Sequence, residues 1–145
     1  MAQPTLELVT ALRRTTLRLK QGAHFRWTHM GACVLGNLAQ TVTRLSAEQI
    51  HRAALQKAGD WGQQAYDYCP TSGLPMDHIM STLVDLGLNQ DDIHHLERLS
   101  DPRVLRQMGI TTTLLCRQDR NDVVAYLTAM ADMLEQQREP QVMSA

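Results

Sequence analysis

The sequence predicts a compact all-α domain, either a helical bundle or an orthogonal helical array, and three observations support this fold class. Apolar residues recur at the three- and four-residue spacings of amphipathic helices. Residues typical of helix ends stand between these segments. Strand signals are nearly absent, because the only β-branched cluster spans 110–113 and is too short to build a sheet. We expect five longer helices and one or two short ones in a single domain over 1–145, with frayed tails at 1–4 and 139–145.

The first predicted helix covers residues 5–20. One stripe contains Leu8, Val9, Leu12, Thr16 and Leu19. The side chains of Arg13, Arg14 and Arg18 lie away from that stripe, and Gly22 is a natural stop. This pattern is typical of an amphipathic helix that packs one face against a core.

The second predicted helix, over residues 27–45, is unusual because no charged side chain occurs from Trp27 to Thr43. A helix that is uncharged on every face is usually packed on several sides. A polar row at fourfold spacing runs beside its apolar stripe: His29, Cys33, Asn37 and Thr41. If these groups are buried they need hydrogen-bond partners, so the row either bonds to neighbouring helices or lines a pocket between them.

Residues 46–75 are predicted to form two helices followed by a turn. Ser46 followed by Gln49 has the spacing of a capping box, which predicts a third helix ending near Gly59. The stretch 60–75 then predicts one short helix and a turn that is rich in proline and glycine.

The remaining helices are predicted mainly from their ends. A fourth helix over 76–86 is closed by Gly87, and Asn89 is a suitable N-cap for the next one. Asp101 followed by Pro102 predicts the start of a short helix. That helix stops at Gly109, and a last helix spans about 121–137.

Charge is distributed unevenly, since residues 1–72 carry a net charge of +4 and residues 73–145 carry −5. The acid-free stretch between Glu7 and Glu48 could attract an anionic ligand, nucleic acid or an acidic partner. Alternatively the two halves attract each other, within one chain or across a homodimer, and we favour this interpretation. The total charge falls far short of a nucleic-acid footprint, so nucleic-acid binding is not expected.

One segment, residues 80–99, has the outline of a helix-turn-helix, with Gly87 in the turn. Its second helix begins with Gln90, Asp91 and Asp92, and acids at that position repel DNA phosphates. An ordinary helical hairpin is the favoured interpretation.

A membrane or secreted location is not expected. The least charged stretch contains His29, Asn37 and Gln40, which is too polar for a lipid-facing helix. The N-terminal residues lack the pattern of a secretory signal, and three widely spaced cysteines fit free thiols in a reducing compartment. We therefore expect a cytoplasmic protein.

The aromatic residues indicate where a binding site could lie, because five of the six occur between residues 25 and 68. They could cap one end of the core, or they could wall a pocket for a small, flat or anionic ligand, or form a surface for a protein partner. The candidate ligand-binding residues are Arg26, Trp27, His29, Cys33, Asn37, Trp61, Tyr66 and Tyr68.

A metal site or a reactive thiol is the alternative to non-catalytic binding or regulation. His29 and Cys33 lie four residues apart, a spacing that two zinc or iron ligands or a thiolate–imidazole pair could use. Cys69 and His78 would complete a mixed nitrogen and sulfur set. The usual short ligand spacings are absent, so the metal-dependent or thiol-based enzyme using His29, Cys33 and Cys69 ranks second.

Overall fold

A computed structural model describes residues 1–110 and 115–138, and in these ranges the chain is all-helical without strands. Six of the described helices have eight or more residues and two have six, so there is one longer helix more than expected. The helices in chain order are α1 (Leu6–Lys20), α2 (Val34–Thr43), α3 (Ala47–Ala54), α4 (Trp61–Tyr66), α5 (Pro75–Leu86), α6 (Gln90–Arg98), α7 (Pro102–Gln107) and α8 (Arg120–Arg138).

Most helix ends lie where the local sequence predicts them. Ser46 and Gln49 form a reciprocal capping box at the start of α3. Gly87 ends α5 in the left-handed conformation, with φ of 118°. Such ends are set by residues within one turn of each other, which explains why periodicity and capping chemistry locate them.

The first four residues, which were expected to fray, are held against the helices in the structure. Ala2 is buried, and the Gln3 amide donates a hydrogen bond to the Gly87 carbonyl at 2.9 Å. The Thr5 hydroxyl caps α1 and also donates to the Leu86 carbonyl at 2.7 Å. The other expected tail, 139–145, lies outside the described residues, as does most of the β-branched cluster at 110–113.

The predicted helix 27–45 is wrong over its first two turns. Residues 27–33 form a turn-rich loop, and α2 begins at Val34 with Cys33 as its N-cap. The loop is held by close backbone packing, because a Cβ on Gly31 would lie 1.9 Å from the Ala47 carbonyl oxygen. A Cβ on Gly36 would likewise lie 2.3 Å from the Gly31 carbonyl carbon. His29 and Cys33 therefore do not share a helix face.

One cluster of buried apolar side chains contains residues of every described helix. Within it α8 runs antiparallel to α1, since Arg120 reaches the C-terminal end of α1 while Asp132 and Glu135 pair with Arg13. The Asp101 amide, at the start of α7, donates to the Tyr126 hydroxyl of α8 at 3.0 Å. Across the described ranges, no helix combines the length and apolar character that a membrane span requires.

Candidate functional site

A cavity of about 260 Å³ lies where the 27–33 loop meets α2, α4, α6 and the 115–118 loop. We call it the tryptophan cavity, because both tryptophans of the chain line it. Its lining residues are Trp27, Thr28, Met30, Cys33, Val34, Asp60, Trp61, Glu97 and Arg117. The volume is close to the lower end of the range for small-molecule sites in proteins.

The two tryptophans occupy different environments. Trp61 is fully buried, and its indole N–H donates to the Met30 carbonyl at 2.9 Å, which fixes the cavity loop to α4. Trp27 is 40% exposed, and the guanidinium of Arg117 lies over its ring at 5.0 Å from the centroid. The cavity thus has a fixed inner wall and an outer wall that solvent reaches.

Glu97 places a half-buried carboxylate in the cavity. Its two oxygens accept hydrogen bonds from the Trp61 amide at 2.9 Å and the Gly62 amide at 3.2 Å, at the start of α4. Burial, and next the charge of Asp60, raise the pKa of Glu97 above its usual range. Among the described residues no cationic side chain forms an ion pair with it.

Glu97 is not among the site residues predicted from the sequence. The available signal was weak: Glu97 follows the core residue Ile93 by four positions, which places it on the inward face of α6. Arg117 was also missed, because it lies in a loop whose position in space depends on the whole fold.

Cys33 lines the cavity as a neutral thiol. Its sulfur donates to the Met30 carbonyl at 3.7 Å and accepts from the Gly36 amide at 3.4 Å. Burial raises the pKa of Cys33 to about 11, which keeps the thiol protonated at neutral pH. The arrangement suits a helix N-cap better than a nucleophile.

His29 belongs to a separate cluster outside the cavity lining. Its Nε2 pairs with the Glu48 carboxylate at 3.0 Å, and its ring stacks on His51 with centroids 4.1 Å apart. The Nδ1 atoms of His29 and His51 accept from the backbone amides of Gly31 and Met30. These two imidazoles thus hold the loop that walls the cavity, a role that sequence analysis did not assign to His51.

Only three of the eight predicted ligand-binding residues, Trp27, Cys33 and Trp61, line the tryptophan cavity. Asn37 is fully buried and its amide donates to the Ala32 carbonyl at 2.8 Å, so it satisfies the backbone of the loop. The other four lie elsewhere: Arg26 is exposed, His29 is in the imidazole cluster, Tyr66 bonds to Asp91, and Tyr68 bonds to Ser81.

The predicted metal set is not assembled. Cys33 is buried, whereas Cys69 and His78 are exposed on the segment that leads into α5 and on α5 itself. Across residues 1–110 and 115–138, no three side chains of the His, Cys, Asp and Glu types lie close enough to hold a metal ion. The expected pairing of His29 with Cys33 depended on a helix that begins only at Val34.

A second, more open cavity of about 420 Å³ adjoins the first, and we call it the arginine cavity. It is lined by Arg98, Ser100, Leu115, Cys116, Arg117 and Gln118. Arg117 lines both cavities, and Arg98 lies 3.8 Å from Asp60 of the tryptophan cavity. No acidic side chain lines the arginine cavity within the described residues, so the two cavities differ in charge.

Comparison with known proteins identifies no relative. The chain matches no protein-family model, no curated protein and no solved structure.

Proposed function

We propose that this protein binds a small organic molecule in the tryptophan cavity without transforming it. The observation that carries the proposal is the cavity itself, a space of about 260 Å³ lined by both tryptophans and by the half-buried carboxylate of Glu97. Natural ligand sites combine apolar and aromatic walls with a few polar groups that orient the ligand. Trp27, Met30, Val34 and Trp61 supply the apolar walls here, while Glu97 and Arg117 supply the polar groups.

Binding is favoured over catalysis because Cys33, the one thiol in the cavity lining, is engaged in holding the fold. The Cys33 thiol is protonated and caps α2, and Glu97 accepts from two amides at the start of α4. A thiol-based enzyme would need a thiolate and an adjacent base. Non-catalytic binding requires only shape, apolar area and a few unpaired donors or acceptors.

Tryptophan emission tests the proposal directly, because the only two tryptophans of the chain line the cavity. We expect a saturable change in emission with at least one member of a library of small aromatic and aliphatic compounds. A Thr28→Phe substitution places a ring at the cavity lining and should abolish the response. The matched control, Thr71→Phe, puts the same ring on an exposed turn outside the cavity and should respond like the wild type.

Two results would contradict the proposal. One is the absence of any saturable response together with a native mass spectrum that shows no co-purified small molecule. The other is an unchanged response in the Thr28→Phe variant, which would locate binding elsewhere.

A further inference from the structure

We propose that the ligand is an amino-acid-like zwitterion with a flat apolar side group, bound across the tryptophan and arginine cavities. This inference rests on the proposed function and adds the chemical class of the ligand. Its basis is that acidic side chains line the tryptophan cavity, arginines line the arginine cavity, and Arg117 lines both.

The apolar part of such a ligand fits the tryptophan cavity. It is lined by the buried Trp61, the more exposed Trp27, Met30 and Val34. Aromatic rings prefer offset or edge-to-face contact with other rings, so two tryptophans favour a flat group over a bulky one. The volume of about 260 Å³ suits a single ring with a short chain.

The anionic end is assigned to Arg117 and Arg98. The guanidinium of Arg117 lies over the Trp27 ring at 5.0 Å from the centroid, a cation–π contact that is not itself a hydrogen bond. Its side chain makes no hydrogen bond or ion pair with any residue in 1–110 or 115–138. Within the same described ranges, the one ion pair of Arg98 is with Asp60 at 3.8 Å. Two such guanidiniums at one cavity offer the paired N–H donors that a carboxylate accepts.

The cationic end is assigned to Glu97, with Asp60 nearby. Glu97 is half-buried, faces the tryptophan cavity and has no cationic partner in the described residues. Each of its oxygens accepts one hydrogen bond from a backbone amide and can accept a second hydrogen bond. A ligand ammonium there would stabilise the charged carboxylate, whose burial is otherwise unfavourable.

Acidic and basic side chains line adjoining cavities, and a small molecule that spans their boundary would contact both. Arg117 lines both cavities, and the Arg98–Asp60 contact of 3.8 Å crosses their boundary. An α-amino acid carries its ammonium and its carboxylate on the same carbon. The charge separation in the protein therefore matches a zwitterion better than a ligand of one sign.

Four probes with the same ring test the ligand class by titration calorimetry: phenylalanine, 2-phenylethylamine, 3-phenylpropionate and 2-phenylethanol. In that order, the probes carry both charges, only the ammonium, only the carboxylate, and no charge. We expect phenylalanine to bind at least about tenfold more tightly than any of the other three, since each charged contact favours the zwitterion. Equal affinity for phenylalanine and 2-phenylethanol would overturn the inference while leaving small-molecule binding intact.

Two substitutions assign the charges to residues. Arg117→Gln should lower the affinity for phenylalanine to that for 2-phenylethylamine and leave 2-phenylethylamine unaffected. Glu97→Gln should instead remove the difference between phenylalanine and 3-phenylpropionate. The control is Arg52→Gln, which changes an exposed arginine of α3 outside both cavities and should bind like the wild type.

The outcomes separate this inference from the proposed function. If no probe binds but the emission screen finds another ligand at the Thr28 side, only the zwitterion class is wrong. If the screen is also empty, the proposed function fails as well. Thermal denaturation of each variant shows whether it is folded, and Arg117→Gln keeps the test decisive if Glu97→Gln disturbs the start of α4.

Discussion

Among single residues, Asp77 shows most clearly how hydrogen-bond and ion-pair partners hold a buried charge. Its side chain is buried, and one carboxylate oxygen accepts from the Lys57 ammonium at 2.7 Å while the other accepts from the Ser72 hydroxyl at 2.5 Å. Burial alone would raise the pKa of Asp77, but the bonds from Lys57 and Ser72 outweigh it and hold the pKa below its usual range. The Lys57–Asp77 pair joins the loop after α3 to the first turn of α5, and the Ser72 bond holds the preceding turn to the same carboxylate.

Replacing Asp77 with asparagine should lower the free energy of unfolding by about 3 kcal/mol at neutral pH, because it leaves the Lys57 charge without its buried partner. The folded-state pKa of Asp77 is below its unfolded value, so the stabilisation is present above the unfolded pKa of about 3.9 and is lost as pH falls through the folded pKa. Urea denaturation of both proteins from neutral to acidic pH measures the difference.

The matched control is Asp132→Asn, since Asp132 pairs with Arg13 on the surface and should contribute less than about 1 kcal/mol. A difference between wild type and Asp77→Asn that stays constant down to about pH 3 would contradict the assigned ion pair.

At the scale of helices and loops, local sequence predicts an element well where its ends are capped and poorly where a neighbour decides them. The capping box at Ser46, the N-cap at Asn89 and the end of α5 at Gly87 were all apparent from residues within one turn. The start of α2 was not, because the conformation of the preceding loop depends on Gly31 lying against Ala47 of α3. Helical periodicity carries no information about such a contact between backbones.

Gly36→Ala tests that close packing. Within a helix, alanine is usually more favourable than glycine by about 1 kcal/mol. Here the new Cβ would lie 2.3 Å from the Gly31 carbonyl carbon, so we expect the opposite sign and a loss of about 3 kcal/mol in unfolding free energy. Chemical denaturation followed by circular dichroism measures it.

Gly22→Ala is the comparison for this prediction, because a Cβ there meets no atom within 4 Å and only the positive φ of 94° opposes it. Its cost should be near 1 kcal/mol. A loss in Gly36→Ala no larger than that in Gly22→Ala would contradict the assigned contact between Gly36 and Gly31.

At the scale of the whole molecule, the ends of the described chain close the fold by pairing α1 with α8. The Arg120 guanidinium donates to the carbonyls of Leu19 and Ala23 at 2.8 and 2.6 Å, where α1 ends. Ion pairs also join the basic first half to the acidic second half, as in Arg13 with Asp132 and Lys57 with Asp77. The uneven charge along the sequence is thus partly used within one chain, while a homodimer stays a prediction.

Arg120→Met should lower the unfolding free energy by about 2 kcal/mol, because it removes charge-assisted bonds to two carbonyls at the end of α1. Arg13→Met, which removes exposed ion pairs between the same two helices, should cost less than about 1 kcal/mol. Urea denaturation at two salt concentrations compares them, and only the Arg13 effect should shrink with salt. If Arg13→Met lowered the unfolding free energy as much as Arg120→Met does, the role assigned to the Arg120 hydrogen bonds would be contradicted.

The sequence by itself determined the helical class and most helix ends, because periodicity and capping act between residues within a few positions of each other. It also pointed to the window containing Trp27, Cys33 and Trp61. The residues that surround these three side chains depend on tertiary packing. Glu97 and Arg117 reach the cavity from segments 36 or more positions beyond Trp61 in the chain, and the pairing of such distant residues is set by packing of the whole core. These acids and arginines lie around one space only when the chain is folded.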